Sequence, residues 1–292
     1  MRDYLEKYTD EHSRFLVLDH ALVHYRRQGS GPPLLLLHGI FSSLHTFDAW
    51  TEHLQRDFDV IRMDLPGFGL SDANADHRYD VAKYVQWLDQ FLDRLDLEQV
   101  SLAGSSLGGW IAWEYALRFP ERVNKLVLID SAGYLDASQI PLPIRMARTP
   151  FMNRIVRYVI RRNLIEVFVR QVYGDPTKVT PELVDRYYEL LARAGNPEAF
   201  FAFVNGKFKD NTPKLPRIET PTLILWGEKD AWLPVDDAYR FLHALPHAEL
   251  IIYEGIGHVP MEEVPKQTAQ DLREFLQSDE IPEAEEVHTR HL

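Results

Sequence analysis

Six short apolar runs are spaced along this chain, and helical patterns lie between most of them. The clearest helical pattern, Tyr79–Leu95, repeats apolar residues at intervals of three and four, whereas the runs are apolar at nearly every position. Continuous apolar strands are typical of a parallel sheet covered by helices on both faces. The sequence therefore predicts an α/β protein with a mostly parallel central sheet. The runs are residues 34–37, 60–63, 99–103, 125–129, 222–226 and 249–253, preceded by a predicted hairpin at 15–18 and 21–25.

The alternation of strands and helices stops between Gly133 and Pro216. No strand-like run occurs there, and two helix starts follow one another, Thr-Pro-Glu at 180–182 and Asn-Pro-Glu at 196–198. The predicted organisation is a core domain of residues 1–132 and 217–292, interrupted by an all-helical cap of residues 133–216. The acidic end of the chain, residues 278–292, is predicted to fray.

The run at 99–103 leads into Gly-Ser-Ser-Leu-Gly, and a helical pattern without a helix breaker follows at 109–117. A Gly-x-Ser-x-Gly turn between a strand and a helix is typical of a nucleophile elbow, in which a strained backbone exposes the serine hydroxyl. Gly104 and Gly108 are needed because a Cβ atom at either position would collide with the neighbouring strand or helix. In this context the pentapeptide predicts that Ser106 is a nucleophile.

A serine hydroxyl needs a base, and the base needs an orienting acid. Asp230 follows the run at 222–226, and His258 follows the run at 249–253 in a glycine-flanked loop. Both are therefore expected at the carboxyl edge of the sheet, where open α/β folds carry their functional loops. We predict that His258 takes the proton of Ser106 and that Asp230 fixes the tautomer of His258. Asp130, at the end of the preceding strand, is the alternative acid and is interpreted as a structural carboxylate.

The negative charge that develops on an attacked carbonyl needs backbone N–H donors. Leu107 directly follows the nucleophile and begins a helix, so its N–H is the first predicted donor. The loop after the run at 34–37 begins His38-Gly39 and supplies the second, with Ile40 preferred and Phe41 as the alternative. His38 itself is interpreted as a residue that shapes this loop.

With these residues in place, the chain resembles the α/β-hydrolase superfamily over nearly its whole length. Within it, the chain looks most like the serine esterases and lipases that carry a helical lid. The resemblance implies a Ser-His-Asp triad that works without a metal or a cofactor. The matching landmarks are His38-Gly39, the segment 64–71, the turn at Ser106, the segment 227–230 and Gly257-His258.

Other branches of the superfamily fit the sequence less well. Epoxide hydrolases and haloalkane dehalogenases use an aspartate nucleophile, whereas position 106 is serine. The meta-cleavage C–C hydrolases share the triad, but they usually carry an aromatic residue after the catalytic histidine and often an asparagine before the nucleophile. Here these positions are Val259 and Ser105, which favours an esterase over a C–C hydrolase.

The substrate pocket is predicted to include Phe41, His45, Trp232 and Val259. Aromatic residues of the predicted cap suit an acyl chain or an aromatic group, although each of them can equally pack the cap onto the core. The cap also carries a basic strip, interpreted as a solvated helix face, with weak contact to an anionic surface as the alternative. The aromatic residues are Phe151, Tyr158, Phe168, Tyr173, Phe200, Phe201 and Phe203. The strip is Arg145, Arg148, Arg154, Arg157, Arg161, Arg162 and Arg170, opposed by Glu166.

Composition limits the classes of function. The chain has 292 residues, of which 45% are hydrophobic and 26% charged, as in an ordinary globular protein with a full core. Its formal net charge of −12 argues against nucleic-acid binding, which depends on neutralising phosphates. The absence of cysteine excludes thiol catalysis, disulfides and thiolate metal sites. No signal-peptide pattern or membrane-length apolar run occurs, so we predict a cytoplasmic protein without a transmembrane segment.

These predictions combine into a serine hydrolase that cleaves carboxylic esters through an acyl-enzyme, with no metal and no cofactor. Its expected partner is a small-molecule ester with an apolar acyl or aromatic group. Two alternatives stay open. One is a C–C bond hydrolase of the meta-cleavage-product type, and the other is a ligand-binding receptor on a hydrolase scaffold.

Overall fold

The structure is a computed structural model that describes residues 2–74, 76, 78–134, 142–148, 160–282 and 286–291. Within these residues, nine strands form one sheet. The strands are β1 (Ser13–Leu18), β2 (Ala21–Gly29), β3 (Pro33–Leu37), β4 (Asp59–Met63), β5 (Val100–Ser105), β6 (Val123–Ile129), β7 (Thr222–Gly227), β8 (Ala248–Tyr253) and β9 (Glu286–Arg290). Their spatial order is β1-β2-β4-β3-β5-β6-β7-β8-β9.

The predicted mostly parallel sheet is confirmed. β2 pairs antiparallel with β1 on one side and with β4 on the other, and all other neighbouring strands of the described sheet pair parallel. β3 lies between β4 and β5, so the chain reverses the direction in which it adds strands at that point. Ligands bind at the carboxyl ends of the strands on either side of such a switch point. Leu37 of β3 is opposite Gly104 of β5, which brings the loops after these two strands together.

Helices cover both faces of the sheet, as the continuous apolar strands predict. Side chains of β3 alternate between two cores, because Leu35 and Leu37 pack in one cluster and Leu34 and Leu36 pack in the other. Among the described residues, no helix is both long and apolar enough to cross a bilayer. The helices are α1 (Arg2–Tyr8), α2 (Asp48–Leu54), α3 (Val81–Arg94), α4 (Leu107–Arg118), α5 (Leu142–Ala147), α6 (Arg162–Val172), α7 (Pro181–Leu191), α8 (Asn196–Val204), α9 (Val235–Ala244), α10 (Pro260–Glu263) and α11 (Pro265–Gln277).

Between β6 and β7, the described residues form α5 to α8 and short 3-10 turns. The helix start at 180–182 is confirmed, because the Thr180 hydroxyl accepts the Leu183 N–H at 3.2 Å. The start at 196–198 differs in detail. Gly195, with φ 95°, occupies the N-cap, and the Asn196 side chain instead donates to the carbonyls of Gly69 and Leu190. The division into a core and a cap of residues 133–216 stays a prediction, and residues 135–141 and 149–159 lie outside the described residues.

The prediction that the carboxyl-terminal segment frays is wrong for residues 286–290. They form β9, which pairs parallel with β8 at the edge of the sheet. Asp271 accepts hydrogen bonds from Arg290 Nη2 and from the Tyr253 hydroxyl, both at 2.8 Å. A buried carboxylate of α11 therefore joins the last strand to its neighbour, a contact that the polar composition of β9 does not reveal.

Candidate active site

Ser106 occupies the turn between β5 and α4, with φ 54° and ψ −113°. A residue other than glycine at positive φ is strained, and such strain is concentrated at functional sites. A Cβ atom added to Gly104 would lie 2.2 Å from the Gly108 carbonyl oxygen. One added to Gly108 would lie 2.1 Å from the Leu37 carbonyl oxygen. These contacts confirm that the turn requires glycine on both sides of the serine.

Backbone hydrogen bonds hold this strained turn in place. The Ser106 N–H donates to the Ile129 carbonyl at 3.0 Å. The Ser106 carbonyl accepts the N–H groups of Trp110 at 3.1 Å and Ala132 at 3.0 Å. Ser106 is thereby fixed at the N-terminal end of α4, where the N–H groups lack intrahelical acceptors and the helix dipole is positive.

The structure brings His258 and Asp230 together. His258 Nδ1 lies 2.6 Å from Asp230 Oδ2, and Asp230 Oδ1 accepts the N–H groups of Trp232 at 2.7 Å and Leu233 at 3.0 Å. The Trp232 ring stacks on the imidazole with 5.9 Å between centroids. The His258 N–H donates to the Val172 carbonyl at 2.7 Å, which anchors this loop to the end of α6. With Nδ1 facing a carboxylate, Nε2 is the ring nitrogen left to exchange a proton.

Asp130, the alternative acid, is completely buried at the end of β6 and accepts the Gly227 N–H at 2.9 Å. It thus links β6 to β7, in agreement with the structural interpretation. One potential ligand atom from each of Asp130, Asp230 and His258 lies within 4.8 Å of the others. The 2.6 Å contact between Asp230 and His258 leaves no room for an ion between them, because zinc–ligand bonds alone are about 2 Å long. The cluster fits proton exchange better than metal binding.

The loop after β3 approaches Ser106. His38 is fully buried, its Nδ1 donates to the Gly39 carbonyl at 2.7 Å, and its Nε2 accepts the Leu65 N–H at 3.0 Å. Burial lowers the pKa of His38, which favours this neutral ring. A Cβ atom added to Gly39 would lie 3.0 Å from Ser106 Cβ and 3.6 Å from Ser106 Oγ. His38 therefore shapes a loop that reaches the serine side chain closely.

The residues predicted to supply N–H donors are Ile40, which follows Gly39, and Leu107, which follows Ser106. Ile40 lines the same cavity as Ser106, and Leu107 is the first residue of α4. Phe41, the alternative donor, has φ 64°, a rare conformation for a bulky residue. Its ring lies 4.3 Å from that of Phe200, between centroids. The backbone of this loop is therefore held in an unusual shape by aromatic packing beside the serine.

Ser106 and His258 line one cavity, which has about 560 Å³ of empty space including the part open to solvent. The predicted pocket residues Phe41, Trp232 and Val259 line it as well. Sequence reasoning missed several apolar and hydroxyl side chains of the wall, because a helical pattern does not reveal which residues face a cavity. They include Ser42, Thr46, Ile165, Val169, Leu191 and Met261.

His45 is not among the lining residues of this cavity, contrary to the prediction. Its ring packs against Tyr8 at 5.7 Å between centroids, and its Nδ1 lies 3.0 Å from Asp48 Oδ2. Leu44–Phe47 form one 3-10 turn, in which Thr46 rather than His45 lines the cavity. Nearness in sequence to the loop after β3 therefore did not place His45 in the pocket.

Glu262 of α10 collects four hydrogen bonds beside the cavity. Its Oε1 accepts from Thr46 Oγ1 at 2.5 Å, Arg186 Nη2 at 2.6 Å and the Tyr187 hydroxyl at 3.0 Å. Its Oε2 accepts from the Tyr173 hydroxyl at 2.6 Å. The network joins α10 and the 44–47 turn to α7 and the end of α6, and it neutralises the charge of Arg186.

A second set of Ser, His and Asp lies away from this cavity. His24 is completely buried, with Nδ1 2.8 Å from Asp64 Oδ2 and Nε2 3.1 Å from Ser13 Oγ. Asp64 also accepts the N–H groups of Leu44 at 2.7 Å and Leu70 at 2.8 Å. None of these residues lines the cavity that contains Ser106.

The predicted cap residues divide between lining and packing. Phe168 lines the cavity, whereas Phe200, Phe201 and Phe203 are buried in the core cluster that contains Leu35 and Leu37. In the basic strip, Arg162 pairs with Glu166 and Asp185, and Arg170 pairs with Glu166. These ion pairs compensate part of the positive charge of the strip. Phe151, Arg154, Arg157 and Tyr158 lie outside the described residues.

The chain is similar to known proteins of one family. A sequence model of the family described as alpha/beta hydrolase fold matches residues 32–265. A 2-hydroxy-6-oxononadienedioate/2-hydroxy-6-oxononatrienedioate hydrolase of Paraburkholderia phymatum is 31% identical over 265 residues, which cover 87% of this chain and 90% of that protein. A membrane phospholipase A, described as a bacterial virulence factor, has a similar structure with a TM-score of 0.78 and 31% identity, covering 90% of this chain and 85% of that one.

A thermophilic esterase of Thermogutta terrifontis is also similar, with a TM-score of 0.75 and 26% identity, covering 88% of this chain and 93% of that one. Two of these similar proteins are named as a phospholipase and an esterase, and the third is named as a hydrolase of dienedioate and trienedioate compounds. The family match spans most of the chain, and the strand order of the sheet and the strained turn at Ser106 agree with that match. This chain belongs to the α/β-hydrolase family.

Proposed function

We propose that this protein is a serine hydrolase that cleaves carboxylic esters, with Ser106, His258 and Asp230 as its catalytic triad. The proposal rests on one observation: the strained Ser106 and the His258 held by Asp230 at 2.6 Å line the same cavity. Ser106 Oγ attacks the acyl carbon while His258 Nε2 accepts its proton. The alcohol leaves with that proton. A water molecule activated by His258 then hydrolyses the acyl-enzyme and releases the acid.

The N–H groups of Ile40 and Leu107 are the proposed donors to the oxyanion, with Phe41 as the alternative to Ile40. Leu107 begins α4, so its N–H has no acceptor within its own helix. The approach of Gly39 to Ser106 supports a donor from the loop after β3. Loss of one such donor typically costs about 3 kcal/mol of transition-state stabilisation.

The cavity wall favours an uncharged acyl or aromatic group. No lysine or arginine stands among the lining residues of the described cavity, and Arg186 beside it is paired with Glu262 at 2.6 Å. Substrates of C–C hydrolases are vinylogous diketo acids, which carry a carboxylate. Burying a carboxylate without a cation is unfavourable. The proposal therefore ranks neutral esters above such acids.

A series of p-nitrophenyl esters, from acetate to dodecanoate, tests this proposal. We expect turnover of short and medium chains, with an initial burst of nitrophenol if deacylation is the slower step. Phe168→Ala, which enlarges the cavity, should shift the preference towards longer chains. Phe203→Ala, buried outside the cavity, is the matched control and should leave the preference unchanged. No turnover of any ester by the wild type would reject the proposal.

The second candidate is a C–C bond hydrolase, which is favoured by the relative named as a dienedioate and trienedioate hydrolase. A ring-fission product that absorbs in the near ultraviolet separates the two functions, because its chromophore disappears on cleavage. The preferred chemistry is the one with the larger kcat/KM. Saturable binding of esters without any turnover would instead support the receptor alternative.

Weak contact with an anionic lipid surface is a further proposal for the arginine-rich strip. The similarity to a membrane phospholipase A supports it, and the pairing of Arg162 and Arg170 with acids weakens it. Activity can be compared on anionic and neutral vesicles at low and high salt. Equal rates under all four conditions would eliminate this contact.

A further inference from the structure

Asp130 is a buried carboxyl group that the ester mechanism leaves without a role. It follows β6 with φ 41° and is completely buried. Its Oδ1 accepts the Gly227 N–H at 2.9 Å, but its Oδ2 accepts a hydrogen bond from none of the described residues. Nearly all buried polar atoms in folded proteins have a partner, so this oxygen requires an explanation.

The unpartnered carboxyl belongs to the cluster around His258. Oxygens of Asp130 and Asp230 and a ring nitrogen of His258 all lie within 4.8 Å of one another. β6 and β7 are neighbouring parallel strands, which explains why the two aspartates that follow them meet at one edge of the sheet. Asp230 Oδ2 lies 2.6 Å from His258 Nδ1, and one Asp130 oxygen lies within 4.8 Å of potential ligand atoms of both residues.

The surroundings of Asp130 raise the pKa of its carboxyl group. Burial, the charge of Asp230 and a side-chain hydrogen bond with Asp230 raise the pKa of Asp130 well above its ordinary value, and the charge of Glu263 adds to the rise. The Gly227 N–H acts in the opposite direction. The other titratable groups facing Asp130 are His258 and Tyr253. Since two adjacent buried carboxylates cannot both ionise without a large cost, Asp130 holds a proton while Asp230 is charged.

We propose that Asp130 is a second positioning carboxyl for His258, which takes over the orienting role when the charge of Asp230 is removed. The inference rests on the proposed function. In a variant without Asp230, the proton of Asp130 leaves to solvent and the carboxylate stabilises the imidazolium that forms as His258 accepts the Ser106 proton. No other bond is broken in this exchange of roles.

The test compares Asp230→Ala with Asp130→Asn/Asp230→Ala. Loss of a sole orienting acid typically lowers kcat by about 10⁴-fold. We expect Asp230→Ala to lose only about 10²-fold in kcat/KM, and the double variant to lose about 10²-fold more. Asp130→Asn alone should lower kcat/KM by about threefold, because asparagine keeps an acceptor for the Gly227 N–H. The effects of the two substitutions on kcat/KM are therefore expected not to be additive. Equal residual rates in Asp230→Ala and the double variant would overturn the inference.

The pH profile provides a readout that a merely structural role would not change. In Asp230→Ala, the charge that raises the pKa of Asp130 is gone, so the Asp130 carboxylate faces the imidazolium of His258 and stabilises it. The acid limb of log kcat/KM should therefore lie at a higher pH in Asp230→Ala than in the double variant, in which asparagine carries no charge. Equal midpoints of the two acid limbs would refute the inference. If the double variant does not fold, the loss in Asp230→Ala alone decides, and a loss of about 10⁴-fold in kcat would refute the inference.

Two further measurements separate this inference from the proposed function. Titration with a fluorophosphonate counts the competent serines, so that every rate is expressed per reactive Ser106. If Ser106→Ala keeps wild-type turnover, the proposed function itself fails. If Ser106→Ala is inactive while Asp230→Ala equals the double variant, only the role of Asp130 fails.

Discussion

Two sets of Ser, His and Asp side chains occur in the described part of the chain, one at the cavity and one at the β1–β2 hairpin. In the hairpin set, contacts of 3.1 Å and 2.8 Å connect Ser13, His24 and Asp64 without a break. In the cavity set, His258 and Asp230 are closer, at 2.6 Å, and Ser106 shares the cavity with His258. An unbroken chain of these three side chains is therefore not what marks a candidate active site.

The difference lies in the backbone and the surroundings of each serine. Ser13 belongs to the extended strand β1, and its Oγ accepts hydrogen bonds from the Asp10 N–H at 3.1 Å and from Arg26 Nε at 3.3 Å. These donors occupy the oxygen lone pairs that a nucleophile needs. Ser106 lies at positive φ at the start of a helix and beside a cavity. The proposal that Ser106 is the nucleophile therefore rests on this placement more than on the identity of the three side chains.

Removal of each serine oxygen in turn should distinguish the two sets most clearly. Ser106→Ala should lower kcat/KM for esters by at least about 10⁴-fold, because no oxygen remains to attack. Ser13→Ala should stay within about twofold of the wild type, since its oxygen serves only the hairpin hydrogen bonds. Steady-state hydrolysis of a p-nitrophenyl ester measures both variants. A large loss in Ser13→Ala together with a small loss in Ser106→Ala would reverse the assignment.

Removing the histidines should separate activity from stability. His24→Ala removes the hydrogen-bond partner of the buried Asp64 Oδ2, which should lower the free energy of unfolding by about 3 kcal/mol. Its kcat per folded molecule should remain within about threefold of the wild type, because the pair is outside the cavity. His258→Ala should lower kcat by about 10⁴-fold. Urea denaturation and active-site titration give the two quantities, and an inactive but fully stable His24→Ala would contradict this distinction.

Local patterns predicted the parts of the site that lie in short continuous segments. The glycines around Ser106 and the loops after β3, β7 and β8 could be identified because each follows an apolar strand. Contacts between distant segments could not be predicted in this way. Glu262 receives its hydrogen bonds from residues up to 216 positions away, and neither its neighbours nor its own helical pattern indicates them.

The same limit explains the errors. Strand β9 is polar and becomes a strand only by pairing with β8, so its own residues indicated a loose end. His45 was assigned to the pocket because it is close in sequence to Phe41, but one 3-10 turn places its neighbour Thr46 at the cavity instead. The second set around His24 was not seen because its members come from β1, β2 and the end of β4.

The two buried aspartates Asp64 and Asp130 should respond to pH with opposite signs. Although burial opposes it, the hydrogen bond and charge of His24 lower the pKa of Asp64. The stability that Asp64 contributes is therefore present above about pH 4, its unfolded pKa, and is lost as the pH falls through the folded value. Asp64→Asn should be about 2 kcal/mol less stable than the wild type at neutral pH, and this difference should shrink in acid.

Asp130→Asn is the control for that measurement. The folded pKa of Asp130 is raised, so its contribution to stability is present below about pH 4 and is lost as the pH rises through the folded value. Relative to the wild type, Asp130→Asn should therefore become more stable as the pH rises, whereas Asp64→Asn becomes less stable. Urea midpoints across this pH range measure both differences. Parallel pH curves for the two variants would contradict the charge assignments.

Glu262 is a buried carboxylate whose hydrogen bonds come from hydroxyl groups and an arginine, and loss of one of them should change stability only slightly. Thr46→Val removes one of four donors to Glu262, and Arg186, Tyr187 and Tyr173 remain. The free energy of unfolding should fall by about 1 kcal/mol, because the carboxylate stays compensated. Thr51→Val, which removes a hydroxyl that donates to the Phe47 carbonyl at 2.9 Å, is the matched control and should be closer to neutral.

The kinetic part of this experiment distinguishes support from catalysis. Thr46 lines the cavity, so Thr46→Val should change KM by a few-fold at most and leave kcat near the wild-type value. In the proposed mechanism, the partner of Asp230 accepts and returns a proton in every cycle, so removal of Asp230 should lower kcat. A large fall in kcat for Thr46→Val would mean that the Glu262 network also holds His258 in position, since α10 begins two residues after that histidine. In that case Glu262 would support the proposed catalysis together with Asp230, and Asp64 would be the structural carboxylate of the three.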